Sequence, residues 1–381
     1  MSSWDKLESS VDISEKIWSK NRTFLGDVWF RFRRKPTAII GFVVIVAVIL
    51  FSVLGPYFLK HTYDEQNLDF VNIPPFFNAY SVNGGYVYIT TNIKAVEVLQ
   101  DGTLSGALAR IKDDTKNKLI TFKFKDDVIT VNYSMKPAAV VDKNGSKLET
   151  VYFRNRTYPL GSDGLGRDMM ARLILGSKIS LLVAFVAAVV NLIIGILYGG
   201  ISAYCGGNTD TVMMRIVDII STLPLTLYVI LIMVLLKSKS GLLSIIIALG
   251  SVYWVNMARV VRGEILSLKE RDFVYAAKTI GSSTWSILTR HLIPNAMGPI
   301  LVTVTMLIPS AIFMEAFLSF IGLGVAAPMA SLGTMCNDAI ETLRILPYQL
   351  FIPSLLICII MFSFNFVGDG LRDALDPKLK R

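Results

Sequence analysis

An all-α polytopic membrane protein with one small β-rich insertion is the architecture this sequence predicts, on three observations. The 381 residues are 53% hydrophobic with a mean hydropathy of +0.54, which a soluble domain of this length rarely reaches. Six apolar runs are long enough, or nearly so, to cross a ~30 Å hydrocarbon core at ~1.5 Å per helical residue. Between the first and second runs, residues 62–156 alternate apolar and polar side chains, the period of a strand.

The elements follow in order. Residues 1–37 are polar and end in the basic cluster Arg31, Arg33, Arg34 and Lys35. The run at 38–60 is too long and too far from the start for a secretory leader, so it reads as a retained first span with its N-terminus in the cytosol. Within 62–156 the runs Tyr86–Thr90, Leu119–Phe124 and Val128–Val131 are separated by Asn83-Gly84-Gly85, Asp101-Gly102 and Asn144-Gly145. That pattern predicts a small antiparallel β domain, extracytoplasmic because it follows the first span. Residues 157–381 form the remaining membrane core. It opens on a turn-rich stretch with Pro159, Gly161, Gly164 and Gly166. A short amphipathic helix at 168–175, lying on the outer surface, is expected next. Further spans are expected at 179–204, 219–236 (with Pro224 inside), 242–257 or a little beyond, 297–323 and 350–366.

Six spans put both termini in the cytosol, in a multi-pass protein of the cytoplasmic (inner) membrane. The segments then cytosolic, 1–37, 205–218, 258–296 and 367–381, hold 19 Lys and Arg, against 7 in the short external segments with Lys60. Residues 62–156 are nearly neutral, with 12 basic and 11 acidic side chains. The net charge of +9 therefore sits beside apolar runs, as a topology signal rather than a nucleic-acid patch. Cys205, Cys336 and Cys358 are far apart, and His61 and His291 are the only histidines, so neither a disulfide framework nor a metal site is expected. No G-x-x-x-x-G-K-[ST] run exists to bind nucleotide.

The polar stretch 272–295 between the fourth and fifth spans reads as two short helices with a break. Phe273, Val274, Ala276, Ala277 and Ile280 line the first, and Gly281 stands where a left-handed helix end needs it. Ser282 or Ser283 caps the second, whose apolar face is Trp285, Ile287 and Leu288, and Pro294 is expected to end it. Such a unit presents a face to a partner; a tight turn between ordinary helices is the plainer reading.

Glu315 is the one acidic residue inside an expected span, which marks it as a gate or pathway candidate. It lies ~27 Å along its helix at ~1.5 Å per residue, near the outer rim, where an ion pair or substrate contact is expected. Asn191 and Asn365 are expected to hydrogen-bond between helices, with Asn365 also a pathway candidate. Arg167, Asp168 and Arg172 either dock an external protein or hold the outer helix. Arg215 and Asp218 can pair on one helix face. His291 is expected to end the loop structurally.

Six stretches resemble one family in their order. Ala276, Ala277, Gly281, His291, Pro294 and Asn295 resemble the cytoplasmic "EAA" loop of ABC-importer permeases, with Tyr275 where that loop carries Glu. Trp29–Arg34, Pro159–Asp168, Met213–Asp218, Phe317–Gly324 and Asn365–Pro377 are similar to segments of the C-type permease of dipeptide and oligopeptide importers. The resemblance covers roughly 22–60 and 157–381, and leaves 62–156 unexplained.

It implies the six-helix type I ABC importer fold and a non-catalytic subunit. A second permease pairs with this chain, two cytosolic ATPases carry ATP and Mg, and an external peptide-binding protein delivers substrate. Tyr275, Ala276, Ala277, Gly281, His291, Pro294 and Asn295 then form the ATPase-coupling loop, and no cofactor is bound by this chain. ATP supplies the differential binding energy for alternating access. A nickel or small-solute importer shares this permease type. An ion-coupled secondary transporter and a membrane-anchored sensor belong to other classes; few intramembrane charges and no detectable inverted repeat argue against the first.

Overall fold

The computed structural model describes residues 23–82, 84–142, 145–236 and 241–375. Residues 1–22 of the cytosolic segment, the turn residues Asn83 and Asn144, and Asp376 and Pro377 of the tail lie outside the described residues.

Helix α1 (Phe24–Arg33) starts at Thr23, whose Oγ1 accepts a hydrogen bond from the Gly26 N–H. It stops because Pro36 forces Lys35 into extended backbone, and the same proline opens α2 (Pro36–Leu54). A 3₁₀ turn, Gly55–Phe58, ends this first long apolar segment.

Among the described residues nine strands lie between Phe76 and Arg154, all paired antiparallel. One sheet runs in the order β4 (Leu104–Ala107), β3 (Ala95–Val98), β2 (Gly85–Ile89), β1 (Phe76–Val82), β9 (Thr150–Arg154). The other runs β5 (Arg110–Asp114), β6 (Leu119–Phe124), β7 (Asp127–Asn132), β8 (Ala139–Val141). Tyr80, Val82 and Val87 of the first sheet pack on Phe122, Phe124 and Val131 of the second. The opposite face of the first sheet buries Phe77, Val96 and Val98 on Phe70, Ile73 and Tyr158. A sheet buried on both faces loses strict alternation, hence the consecutive buried Ala95 and Val96 of β3.

Helix α3 (Met169–Cys205) is 37 residues long and is capped by Asp168, whose Oδ1 accepts from the Met170 N–H at 2.8 Å. The separate surface helix expected at 168–175 is therefore the first turns of the second long helix. Gly176 stands between the two, and a mid-helix glycine costs only ~1 kcal/mol, too little to break a helix packed this deeply. Helices α4 (Gly207–Thr222) and α5 (Leu225–Leu236) meet at an 89° bend before and at Pro224, so 219–236 is not one straight span. Asp210 of α4 takes two bonds from Arg262, at 2.5 and 2.6 Å, and Asp218 takes one from Arg259 at 3.0 Å. Asp218 thus pairs with Arg259, not with Arg215 on its own helix.

Helices α6 (Gly241–Gly250) and α7 (Trp254–Leu268) form one apolar stretch that runs on past Met257 to Leu268. Helices α8 (Asp272–Thr279) and α9 (Thr284–Ile287) follow, and α9 runs through a π-helical turn, Leu288–Leu292, into α10 (Ile293–Leu318). A second π turn, Ser319–Leu323, ends that run; α11 (Leu332–Asp338) and α12 (Tyr348–Leu375) complete the chain. Among the described residues five stretches are long and apolar enough to cross a membrane, and the α4–α5 pair would make a sixth. Their core joins Val183, Ala184 and Ala187 of α3 to Ile245 and Leu249 of α6 and Ile312 and Leu318 of α10.

The turn before α3 locks the two parts together. Ser162 Oγ accepts from the Ile73 N–H at 2.8 Å and donates to the Phe70 carbonyl, while Gln349 of α12 donates to the Ser162 carbonyl at 2.9 Å. Gly166 has φ +71° and an added Cβ would lie 1.8 Å from the Asn67 carbonyl oxygen. Gly166→Ala is therefore expected to destabilise the protein by ~2 kcal/mol or more. Thermal unfolding of the detergent-purified variant checks this, and an unchanged midpoint would refute the assigned close approach.

Candidate functional site

The segment Asp272–Leu292 folds as a compact helical unit. Helix α8 ends in a double hydrogen-bonded cap: the Gly281 N–H donates to the Lys278 carbonyl and the Ser282 N–H to the Ala277 carbonyl, both at 3.0 Å. That pattern needs a left-handed residue after the helix, and Gly281 sits at φ +81°. Ser283 then caps α9, accepting from the Ser286 N–H at 3.3 Å.

One face of the unit is buried. Val274, Ala277, Ile287 and Leu288 pack on Ala203 at the end of α3 and on Met257, Val261 and Ile265 of α7. The other face is apolar and uncovered: Ile280 is 84% exposed, Trp285 57% and Tyr275 49%. Phe273 and Ala276 are exposed beside them. A hydrophobic face on a unit clamped from behind is a surface made for contact.

Tyr275 takes the place of the expected acid, yet an acid is present. Its hydroxyl donates to Glu270 Oε2 at 2.6 Å, a bond that also raises the tyrosine pKa. The carboxylate arrives from five residues upstream, a contact the spacing of the motif does not encode.

Pro294 does not end the second helix. It occupies the first turn of α10, and α9, the π turn and α10 form one continuous helix. A proline lacks the N–H and crowds the carbonyl four residues back, and the wider π turn just before it relieves both problems. His291 lies in that π turn, half-buried, and its carbonyl accepts from Asn295 Nδ2 at 2.6 Å. Pro294 and Asn295 line an 860 Å³ cavity together with Arg31 of α1, Glu264 of α7 and Arg372 of α12. The structure thus brings Tyr275, Ala276 and Gly281 to the contact face and Pro294 and Asn295 to its root.

The remaining candidates lie elsewhere. Glu315 is fully buried, not at a wetted rim, and its partners are hydroxyls instead of a cation: Ser180 at 2.6 Å and Ser319 at 2.8 Å. Asn191 donates to the Ala187 carbonyl of its own helix at 2.6 Å and, at 3.4 Å, to the Leu249 carbonyl across the bundle. Asn365 is half-buried and makes no side-chain hydrogen bond among the described residues. Arg167, Asp168 and Arg172 are 6%, 2% and 3% exposed. They lie where the chain enters α3: Arg167 and Arg172 both meet Asp163, and Asp168 caps the helix. Burial also raises the Asp168 pKa. Among the described residues no group of three or more His, Cys, Asp and Glu could hold a metal ion.

Sequence comparison decides the family. The profile described as "Binding-protein-dependent transport system inner membrane component" matches residues 191–381, and "N-terminal TM domain of oligopeptide transport permease C" matches 23–75. The oligopeptide transport system permease protein OppC of Bacillus subtilis (strain 168) is 38% identical over 368 residues, 97% of this chain and 94% of that protein. The chain belongs to the binding-protein-dependent ABC-importer permeases.

The dipeptide permease DppC of Lactococcus lactis is 37% identical over 372 residues, 96% of this chain and 94% of that one. The DppC of Bacillus subtilis is 48% identical over 222 residues, 58% and 69% of the two chains. The full-length matches span the β segment as well as the helices. Among solved structures, a chain of the inward-facing MetNI methionine ABC transporter is similar at 19% identity and TM-score 0.46, covering 55% of this permease and 98% of that chain.

If the Gly281 cap holds the unit, Gly281→Ala forces an L side chain into φ +81° at a cost of ~1 kcal/mol. Amide exchange across 272–283 is then expected to quicken about fivefold. Equal exchange rates in the two proteins would remove the cap from the account.

Proposed function

We propose that this permease is the C-type subunit of an ATP-driven importer of dipeptides and oligopeptides. It pairs with a second permease to form the membrane pathway, in the six-span type I importer arrangement. The chain crosses the cytoplasmic membrane with both termini in the cytosol and presents the β domain outside, where a binding protein delivers substrate. Two ATPases beneath carry ATP and Mg; this chain binds no cofactor and catalyses nothing. Tyr275, Ala276 and Gly281 meet an ATPase, while Ala277, His291, Pro294 and Asn295 fix the unit to its span.

The observation that carries this reading is the exposed apolar face of Ile280, Trp285 and Tyr275 on a unit whose back is buried. The likeness of nearly the whole chain to OppC and DppC permeases supports peptides as the substrate class. ATPase movement passes to the spans because Ile287 and Leu288 are packed into the bundle core, not hung from a loop.

Ile280→Asp places a charge on the contact face without touching the core, since Ile280 is 84% exposed. It is expected to lose the ATPases from a mild-detergent pull-down of the expressed importer while the unfolding midpoint holds. Ala277→Glu with Gly281→Pro should lose them as well, with a lower midpoint. A native chain that purifies alone and moves solute without ATP would overturn the reading.

A further inference from the structure

A charged cavity of about 470 Å³ opens between the turn before α3, helix α11 and the start of α12, within the ~300–1,000 Å³ range of small-molecule sites. Two guanidiniums line it, and both are held from behind. Asp163, itself 6% exposed, accepts from Arg167 Nε at 2.7 Å and from Arg172 Nη1 at 2.5 Å. This leaves their outward N–H groups aimed at one atom, Asp338 Oδ2, which receives Arg172 Nη2 at 3.0 Å and Arg167 Nη2 at 3.5 Å.

Asp338 is a poor permanent partner for them. Its side chain is 47% exposed, both arginines meet its Oδ2 alone among the described residues, and it is the last residue of α11, where helix carbonyls disfavour a negative charge. Two fixed guanidiniums are best met by a carboxylate using both oxygens. Arg172 Nε, buried, has no partner at all among the described residues. Glu341 adds a negative charge to the wall of the cavity and has no ion-pair partner among the described residues. The cavity therefore carries both signs, as a zwitterion requires.

We propose that this cavity binds the C-terminal carboxylate of a peptide, with Arg167 and Arg172 as its donors and Asp338 as the built-in carboxylate that the peptide displaces. The proposal rests on the peptide-importer reading and deepens it. Asp163 keeps the donors oriented in both states, so exchange at the outer oxygen costs no reorganisation of the arginines. Displacement frees Asp338 and with it the end of α11, whose other end is capped at Ser331 and held by the Leu332 N–H on Ser180 Oγ at 3.4 Å.

The test uses the whole importer complex in lipid nanodiscs, without its binding protein, and titrates trialanine and trialanine C-terminal amide by calorimetry. The native complex is expected to bind the free acid about tenfold more tightly than the amide. Asp338→Asn removes the competing charge and leaves Asp163 holding both arginines. It should tighten the free acid about fivefold and leave the amide unchanged. Arg172→Gln should erase the preference for the acid. The site is overturned if neither peptide binds, if acid and amide bind alike, or if Asp338→Asn shifts both equally. It is also overturned if Arg172→Gln impairs only capture of the binding protein, which would assign the arginines to a protein carboxylate. Uptake of trialanine by the native complex with its binding protein separates the two levels. Uptake without the acid preference sinks the site alone, whereas no peptide uptake sinks the substrate reading beneath it.

Discussion

A carboxylate buried between two guanidiniums sets the geometry of one end of this molecule. Asp163 has little water to solvate it, so its charge must be met by Arg167 and Arg172. Arg172 belongs to the first turn of α3 and Arg167 to the turn before it, and that turn, which also bears Asp163, is stitched through Ser162 to Ile73 and through Gln349 to α12. One buried charge thus decides where the β domain leaves off, where the longest helix begins and where the last helix enters. Such a cluster is weak evidence for stability, because desolvation offsets the attraction. Losing one partner is another matter, since the remaining charge is stranded at ~3–5 kcal/mol. The constraint acts mainly on uniqueness: few alternative arrangements of these three segments keep every charge paired.

The opposite functional element works by a different principle. The back of the contact unit is an apolar patch on α3, α7 and α10, and its shape comes from two capped helix ends. Ion pairs tie α4 to α7 nearby, through Asp210–Arg262 and Asp218–Arg259, outside that patch. The unit is therefore fixed by packing and exposed by composition, as the proposed ATPase contact requires.

Much of this was legible in the sequence, and what was not has physical reasons. Long apolar runs, strand alternation and the Gly281 cap are local properties, and local properties appear as spacing. Pro294 misled because the π turn that accommodates it leaves no composition signal. The surface helix at 168–175 merged with α3 because one glycine cannot overcome the burial of a long helix. Glu315 was placed by distance along its helix, but its burial comes from Ser180, 135 residues away. The Arg172–Asp338 contact spans 166 residues, and no periodicity reaches that far. The Glu270–Tyr275 bond is short-range, yet the motif spacing does not encode it, because the acid that a tyrosine hydroxyl recruits lies outside the motif.

Continuity of the chain from Thr284 to Leu323 has a mechanical consequence. At ~1.5 Å per residue, 40 helical residues make a rod roughly 60 Å long, fixed to the contact unit at one end. A tilt of about 5° there displaces the far end by about 5 Å, simple leverage on that length. Compliance is confined to few joints: the two π turns and the prolines Pro299 and Pro309. Glu315 rides on the long arm just before the last of these joints and Ser319 opens that joint, so their carboxylate and hydroxyl contact sits where a small angular input becomes its largest stroke.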